Sequence, residues 1–145
     1  MKTITILCGL PRSGKSTWLK ENKTNEVVVS ADDIRFLTYG QRFWADGEGL
    51  VWHIRGMMLK YLLSQGVDVI IDETNLTAKS RANVITLAKV NGYKIKGVLF
   101  TTCRMLCKQR AVESGQEDLI SVIERMYPQF EHPKTEEGFD ELINV

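Results

Sequence analysis

Residues 9–16, reading Gly-Leu-Pro-Arg-Ser-Gly-Lys-Ser, constrain this chain more than any other stretch. They follow an apolar run over residues 3–8 and precede a helix-capable segment over 15–21. The backbone must therefore pass from a buried strand, through a glycine-bounded loop, into a helix. The pattern is G-x-x-x-x-G-K-S. Loops of this kind wrap phosphate groups in backbone N–H groups, while the lysine reaches the outer phosphates and the serine hydroxyl coordinates Mg²⁺. Gly9 and Gly14 supply backbone freedom that a Cβ would remove, and the next helix turns the positive end of its dipole toward the anion. Gly9, Pro11, Arg12, Ser13, Gly14, Lys15, Ser16 and Thr17 are the expected nucleotide-binding set.

The rest of the chain alternates strand and helix signals. Residues 27–30 form a second β-branched run, with Asp32, Asp33 and Arg35 at its exit. In open α/β sheets ligands gather at the carboxyl ends of strands, which places these residues beside the loop. Glycines among aromatic residues over 39–49 predict an irregular connection. Leu50, Val51, Ile54, Met57, Met58, Tyr61 and Leu62 then mark a long helix with one apolar stripe, stopped near Gly66, and the methionine pair reads as core filling. Residues 67–72 are the most convincing central strand and end on Asp72. A helix starting at Thr77 or Ser80 buries Val84, Ile85 and Ala88, and residues 93–100 supply a fourth strand. A basic helical piece with Arg104, Lys108 and Arg110 follows, then a break at Ser114-Gly115. Leu119, Val122, Ile123, Met126, Tyr127 and Phe130 mark a last amphipathic helix ended before Pro133, and residues 139–145 form an edge strand. This βαβα order predicts an α/β protein with the P-loop NTPase fold, a parallel sheet of four to five strands covered by helices on both faces.

At 145 residues the chain suits one domain, 1–145. A net charge of +1 provides no broad basic field, so a nucleic-acid partner must be held by a local patch. Apolar runs are too short for a membrane span, and the chain opens on a strand instead of a signal peptide, from which a cytoplasmic protein is expected. Cys8, Cys103 and Cys107 are odd in number and lack C-x-x-C spacing, so they read as reduced thiols, forming neither a disulfide nor a structural metal site. His53 and His132 have no ligand-like neighbours.

Guanine-reading N-K-x-D sequence is absent, and the chain is short for an ATPase motor, which leaves a small phosphotransferase. Such an enzyme needs a phosphate cradle, Mg²⁺, a carboxylate to take the acceptor proton, and cations around the transferring group. Residues 9–16, the Ser-Ala-Asp-Asp-Ile-Arg run at 30–35, the Ile-Ile-Asp-Glu-Thr-Asn-Leu run at 70–76 and the Phe-Glu-His-Pro run at 130–133 together resemble the kinase domain of polynucleotide 5′-kinases, over nearly the whole chain. The resemblance implies ATP and Mg²⁺ as cofactors and a 5′-hydroxyl end of DNA or RNA as acceptor, in nucleic-acid end repair. It assigns Asp32 as the base on the hydroxyl and Arg35 as the group on the acceptor phosphate. Lys15 serves the β and γ phosphates, Ser16 and Asp72 the metal, and Thr17 the α-phosphate. Thr74, Asn75 and Arg81 fall on the acceptor side. The implied mobile lid covers about 103–118, with Arg110 as its cation.

Two departures stand out. Glu73 lies directly before Thr74-Asn75, where the family often has aspartate, so either Asp72 or Glu73 faces the metal. The second lid arginine of the family's R-N-x-x-R pattern is missing, which leaves Arg110, aided by Arg104 or Lys108, to reach the γ-phosphate. Phe36, Tyr39, Phe43, Trp44 and Trp52, near Arg35, Arg42 and Arg55, read either as core or as a base-stacking platform. No D-x-D-G-T signature occurs, so no 3′-phosphatase is expected. Two alternatives stay open: a kinase of the same superfamily acting on a nucleoside, sugar or antibiotic hydroxyl, and an ATP-binding module without a covalent acceptor that serves a ligase partner.

Overall fold

A computed structural model describes all residues, 1–145. Its centre is a five-stranded parallel sheet in the order β2-β3-β1-β4-β5, as the alternating pattern predicts. The strands are β1 (Thr3–Cys8), β2 (Val27–Val29), β3 (Val69–Ile71), β4 (Lys94–Leu99) and β5 (Glu141–Asn144). The helices are α1 (Lys15–Asn22), α2 (Ala31–Tyr39), α3 (Glu48–Ser64), α4 (Ala78–Val90), α5 (Arg104–Glu113) and α6 (Leu119–Met126).

Strand alternation divides the core between the two faces. Ile4, Ile6 and Cys8 of β1 join Val29, Val69, Ile71 and Ile95 beneath Leu59 and Leu63 of α3 and Val84, Ile85 and Ala88 of α4. On the other face Leu7, Ile70, Val98 and Phe100 meet Trp18 and Leu19 of α1. Each fully buried aliphatic side chain contributes about 1.5–3 kcal/mol, so the first face carries most of the stability. Two satellite clusters build the site's flanks: Ala31, Ile34 and Val51 lock α2 to α3, while Cys107, Ala111, Leu119 and Ile123 lock α5 and α6 onto Leu10 of the glycine loop.

Strand order explains which residues meet. The chain leaves β1 for the edge strand β2 and returns to fill the gap with β3 before crossing to β4. The carboxyl ends of β2, β3, β1 and β4 thus lie side by side, carrying in turn Asp32, Asp72, the glycine loop, and Phe100 with Thr102.

Several local readings differ from the sequence pattern. The stripe on α3 is not the one expected. Val51, Leu59 and Leu63 are its buried residues, whereas Leu50, Met58, Met57 (59% exposed) and Tyr61 (66% exposed) lie outward, so the methionine pair does not fill the core. This helix is apolar almost all round, and periodicity cannot then select a face. The last helix stops at Met126, ahead of a short 3₁₀ turn over Tyr127–Gln129 that contains Pro128; this proline, five residues before Pro133, ends the regular α-helix. Helix α4 is capped by Thr77, in a reciprocal capping box with Ser80.

Candidate active site

Helix α1 opens without a side-chain cap and without an acid in its first turn. Its first N–H groups are therefore left for an external acceptor, and an anion is favoured there by the helix dipole. Gly14 precedes it at φ +111°, a conformation that residues with a Cβ rarely adopt. At Gly9 the constraint is space: a Cβ would lie 2.5 Å from Ser13 Oγ and 2.9 Å from Phe100 Cβ. The loop is tied from both sides, Gly9 N–H donating to Thr74 O (3.0 Å) and Thr102 Oγ1 donating to Ser13 O (2.8 Å).

Lys15 folds back on the loop, donating from Nζ to Gly9 O (2.8 Å) and Leu10 O (2.7 Å). Burial pushes its pKa down from 10.5 to about 8, against the opposing pull of Asp72, Cys107 and Asp32. Ser13 Oγ is buried without any hydrogen-bond partner. A held cation, an orphaned hydroxyl and an open helix start converge on a cleft of about 600 Å³. Its charged lining is Arg12, Lys15 and Arg110 against one acid, Glu21, and Trp18 and Phe100 meet edge to face at its apolar wall, with centroids 6.4 Å apart. This donor set fits a nucleoside triphosphate: polyanion at the loop, base toward the aromatic wall.

Arg110 Nη1 donates to Arg12 O (3.2 Å), which holds it over the cleft. Arg104 and Lys108, expected to assist it, face away. Both pair with Glu124 of α6, and Arg104 also lies over the Tyr127 ring, 4.3 Å from its centroid. Four positions apart on a helix is the same face, whereas two or six is not, so Arg104 and Lys108 share a flank that Arg110 does not.

On the β2–β3 side, Ser30 caps α2 by accepting from Asp33 N–H (3.3 Å), so neither aspartate is the cap. Asp32, with its side chain 64% exposed, accepts from Arg35 Nη1 at 2.7 Å. Arg35 also donates from Nε (2.9 Å) and Nη2 (2.6 Å) to both oxygens of Glu48. Glu73 is similarly gripped by Arg55, through Nε (3.2 Å) and Nη2 (2.8 Å). Trp52 stands near both guanidinium groups, its ring centroid 5.9 Å from Arg35 and 5.5 Å from Arg55. Glu73 is committed to Arg55, and Asp72 exerts a stronger pull on Lys15 than Asp32 does. Burial pushes the Asp72 carboxyl up, Lys15 opposes this, and Asp33 and Asp32 add to it. Ser16 and Asp72 are hard oxygen donors suited to Mg²⁺, which keeps several waters and takes phosphate oxygens. No three His, Cys, Asp or Glu side chains form a metal cage of their own.

A second cleft of about 390 Å³ lies between Trp52, Arg55, Thr74, Thr77, Asn83 and Gln129. Asn75 and Arg81, both expected on the acceptor side, are buried, although Asn75 also borders this cleft. Asn75, at φ +46°, is buried and donates from Nδ2 to Leu7 O (2.7 Å), fastening the β3–α4 turn to β1. Arg81 is 0% exposed. It binds both oxygens of Glu137 (2.8 and 3.0 Å) and donates to Asn75 O (2.7 Å), so it supports that turn from within. Thr74 lines the second cleft. Among the aromatic residues, Tyr39 packs against the α2–α3 cluster, while Phe36, Phe43, Trp44 and Trp52 remain exposed. Glu48 and Thr102 belong to these hydrogen-bond networks although sequence patterns did not single them out. Thr102 alone had a signal, its place just past a strand end. The three cysteines are free, and no helix is long and apolar enough to cross a membrane.

A protein family described as an AAA domain matches residues 4–133. The chain is 27% identical over 146 residues to an L-seryl-tRNA(Sec) kinase of Methanococcus maripaludis, covering 94% of this chain and 56% of that protein. Among solved structures it resembles a chain of a Pnkp1/Rnl/Hen1 complex, with a TM-score of 0.67 and 26% identity over 75% of this chain and 38% of that one. The APS kinase CysC of Mycobacterium tuberculosis, solved with AMPPNP and APS, shares the fold at a TM-score of 0.66 and 18% identity, over 99% of this chain and 88% of its own. The chain thus spans about half the length, or less, of the first two proteins it resembles.

Proposed function

Because the chain belongs to the AAA-domain family matched over residues 4–133, and its relatives are P-loop kinases, we propose that it transfers the γ-phosphoryl group of ATP to the 5′-hydroxyl end of DNA or RNA. The observation that carries this reading is the row of groups along the sheet's carboxyl edge: a free cationic cleft at β1 and β4, and Asp32 with Arg35 at the end of β2.

In this reading residues 12–17 grip the triphosphate and Lys15 turns from the loop carbonyls to the β and γ phosphates. Ser16, with Asp72 acting through water, would hold Mg²⁺, which would supply charge neutralisation when bound. Asp32 accepts the proton of the acceptor hydroxyl, whose oxygen forms a bond to the γ-phosphorus as the bond to the bridging oxygen of ADP breaks. Its exposed carboxylate can reach a bound hydroxyl. Arg110 neutralises charge on the group in transit. Arg35 orients the acceptor through its phosphate, Thr74 lines the acceptor side, and residues 103–118 act as the lid. The whole chain works as one domain, and a ligase is the partner class, supported by the likeness to a chain from a Pnkp1/Rnl/Hen1 complex.

Incubation with γ-labelled ATP, Mg²⁺ and 5′-hydroxyl oligonucleotides of DNA and RNA tests this. Label is expected on the 5′ end, and no transfer to either acceptor overturns the claim. A second reading is a kinase for another hydroxyl acceptor. It is favoured by one observation: Arg35, Arg42 and Arg55 are each paired with a carboxylate, unlike the cations at the nucleotide cleft. Salt separates the two, since an oligonucleotide acceptor loses affinity steeply as salt rises.

A further inference from the structure

The proposed assignment of Asp32 and Arg35 leaves a difficulty, and the inference below rests on that assignment. Arg35 is shared by two carboxylates, so the trio Asp32, Arg35 and Glu48 carries one positive charge against two negative ones. An acceptor phosphate would arrive at a cluster already net negative. Glu48 holds the side-on fork of the guanidinium, Nε with Nη2, which is the edge best matched to two phosphate oxygens. Asp32 uses only Nη1.

We propose that Glu48 is a carboxylate latch on Arg35, a specificity-determining residue that an acceptor phosphate must displace. Asp32 cannot be the group that yields, because it is needed at the hydroxyl. Glu48 lies across the guanidinium from it, and its side chain, 22% exposed, can swing toward solvent at the first turn of α3. Arg35 itself stays in place. It is only 15% exposed and lies against the Trp52 ring. The Arg35 hydrogen bonds hold the Glu48 carboxyl below its ordinary range, so the latch is charged at neutral pH. The device discriminates by charge: only an acceptor whose phosphate outcompetes a carboxylate for this fork gains the arginine, and a neutral hydroxyl compound leaves the latch shut.

The test compares wild-type protein with Glu48→Gln, which keeps the side chain's shape and removes its charge. Steady-state kinetics use two 5′-hydroxyl acceptors, a nucleoside 3′-phosphate and the plain nucleoside, and calorimetry measures binding of a 5′-hydroxyl trinucleotide without ATP. Freed of a charged competitor, the variant is expected to lower both the KM for the nucleoside 3′-phosphate and the trinucleotide Kd by about tenfold, the scale of one charge-assisted pair. The plain nucleoside and the KM for ATP are expected to be unchanged. An unchanged or raised KM for the phosphate-bearing acceptor, in a wild-type enzyme that does transfer, overturns the latch alone and makes Glu48 a support for Arg35. If wild-type protein neither transfers to nor binds these acceptors, both the latch and the polynucleotide reading fall. Glu48→Asp, which shortens the carboxylate but keeps its charge, is expected to fall between the two.

Discussion

Lys15 is held in the nucleotide-free fold at an energetic cost, and removing it should show this. Burial takes its pKa from 10.5 to about 8. At about 1.4 kcal/mol for each tenfold change in proton affinity, keeping the amine charged at pH 7 costs roughly 3 kcal/mol. Deleting the amine in Lys15→Met also leaves Gly9 O and Leu10 O without the Nζ donor, at about 1 kcal/mol each. The variant should be more stable than wild type by about 1 kcal/mol at pH 7 without nucleotide, a rise in Tm of about 2–4 °C for a domain of this size. The sign changes with pH. A lysine whose pKa is depressed on folding penalises the native state fully below about pH 8, and the penalty fades as pH rises from there to 10.5. Wild-type stability should therefore climb in that window while the variant's does not, and above it the variant should be the less stable. Thermal melts across this range, with and without Mg-ATP, provide the assay. Saturating Mg-ATP at about 100 times its Kd should add about 2.7 kcal/mol to wild type and nothing comparable to the variant. A variant less stable than wild type at pH 7 without nucleotide refutes the reasoning.

Glu137→Ala strands the buried Arg81 charge and should cost about 3–5 kcal/mol in urea unfolding; the double variant with Arg81→Met should recover part of that loss. Arg110→Ala should lower kcat by 10² or more, on the order of losing a charge-stabilising group, whereas Arg104→Ala and Lys108→Ala, tied to Glu124, should stay within about threefold in the same kinetic assay. Gly9→Ala must move Ser13 or Phe100 and should weaken nucleotide binding, measured by calorimetry, by about tenfold or more at a cost on the order of overpacking.

The parts of the site legible in the sequence are those written in local pattern. The run of apolar residues into Gly9 marked β1 and its loop, Gly14 and Lys15 marked the start of α1, and Asp72 closed an apolar run that forms β3, an interior strand beside the central β1 and not the centre itself. The order of strands was not legible, because the crossover that puts β3 between β2 and β1 is decided by long-range packing. For the same reason the charge pairs were hidden. Arg81 meets Glu137 across 56 positions and Arg104 meets Glu124 across 20, and neither separation is a helical or strand neighbour. Arg35 and Glu48 sit on different helices, so the guanidinium expected to be free is occupied. Arg55 takes Glu73, whereas Asp72 adds its charge to the field at Lys15, a difference that alternation along the strand alone did not reveal.

The account turns on Asp32 as the group that takes the acceptor proton beside an ATP cradle. The direct measurement is transfer of labelled γ-phosphate to a 5′-hydroxyl oligonucleotide by wild-type and Asp32→Asn protein, with ATP affinity measured on both. A fall of about 10² or more in transfer, with ATP affinity unchanged, is the predicted result for loss of a positioned base. Equal transfer by the two proteins, or a parallel loss of ATP binding, would contradict it and leave Asp32 a structural partner of Arg35.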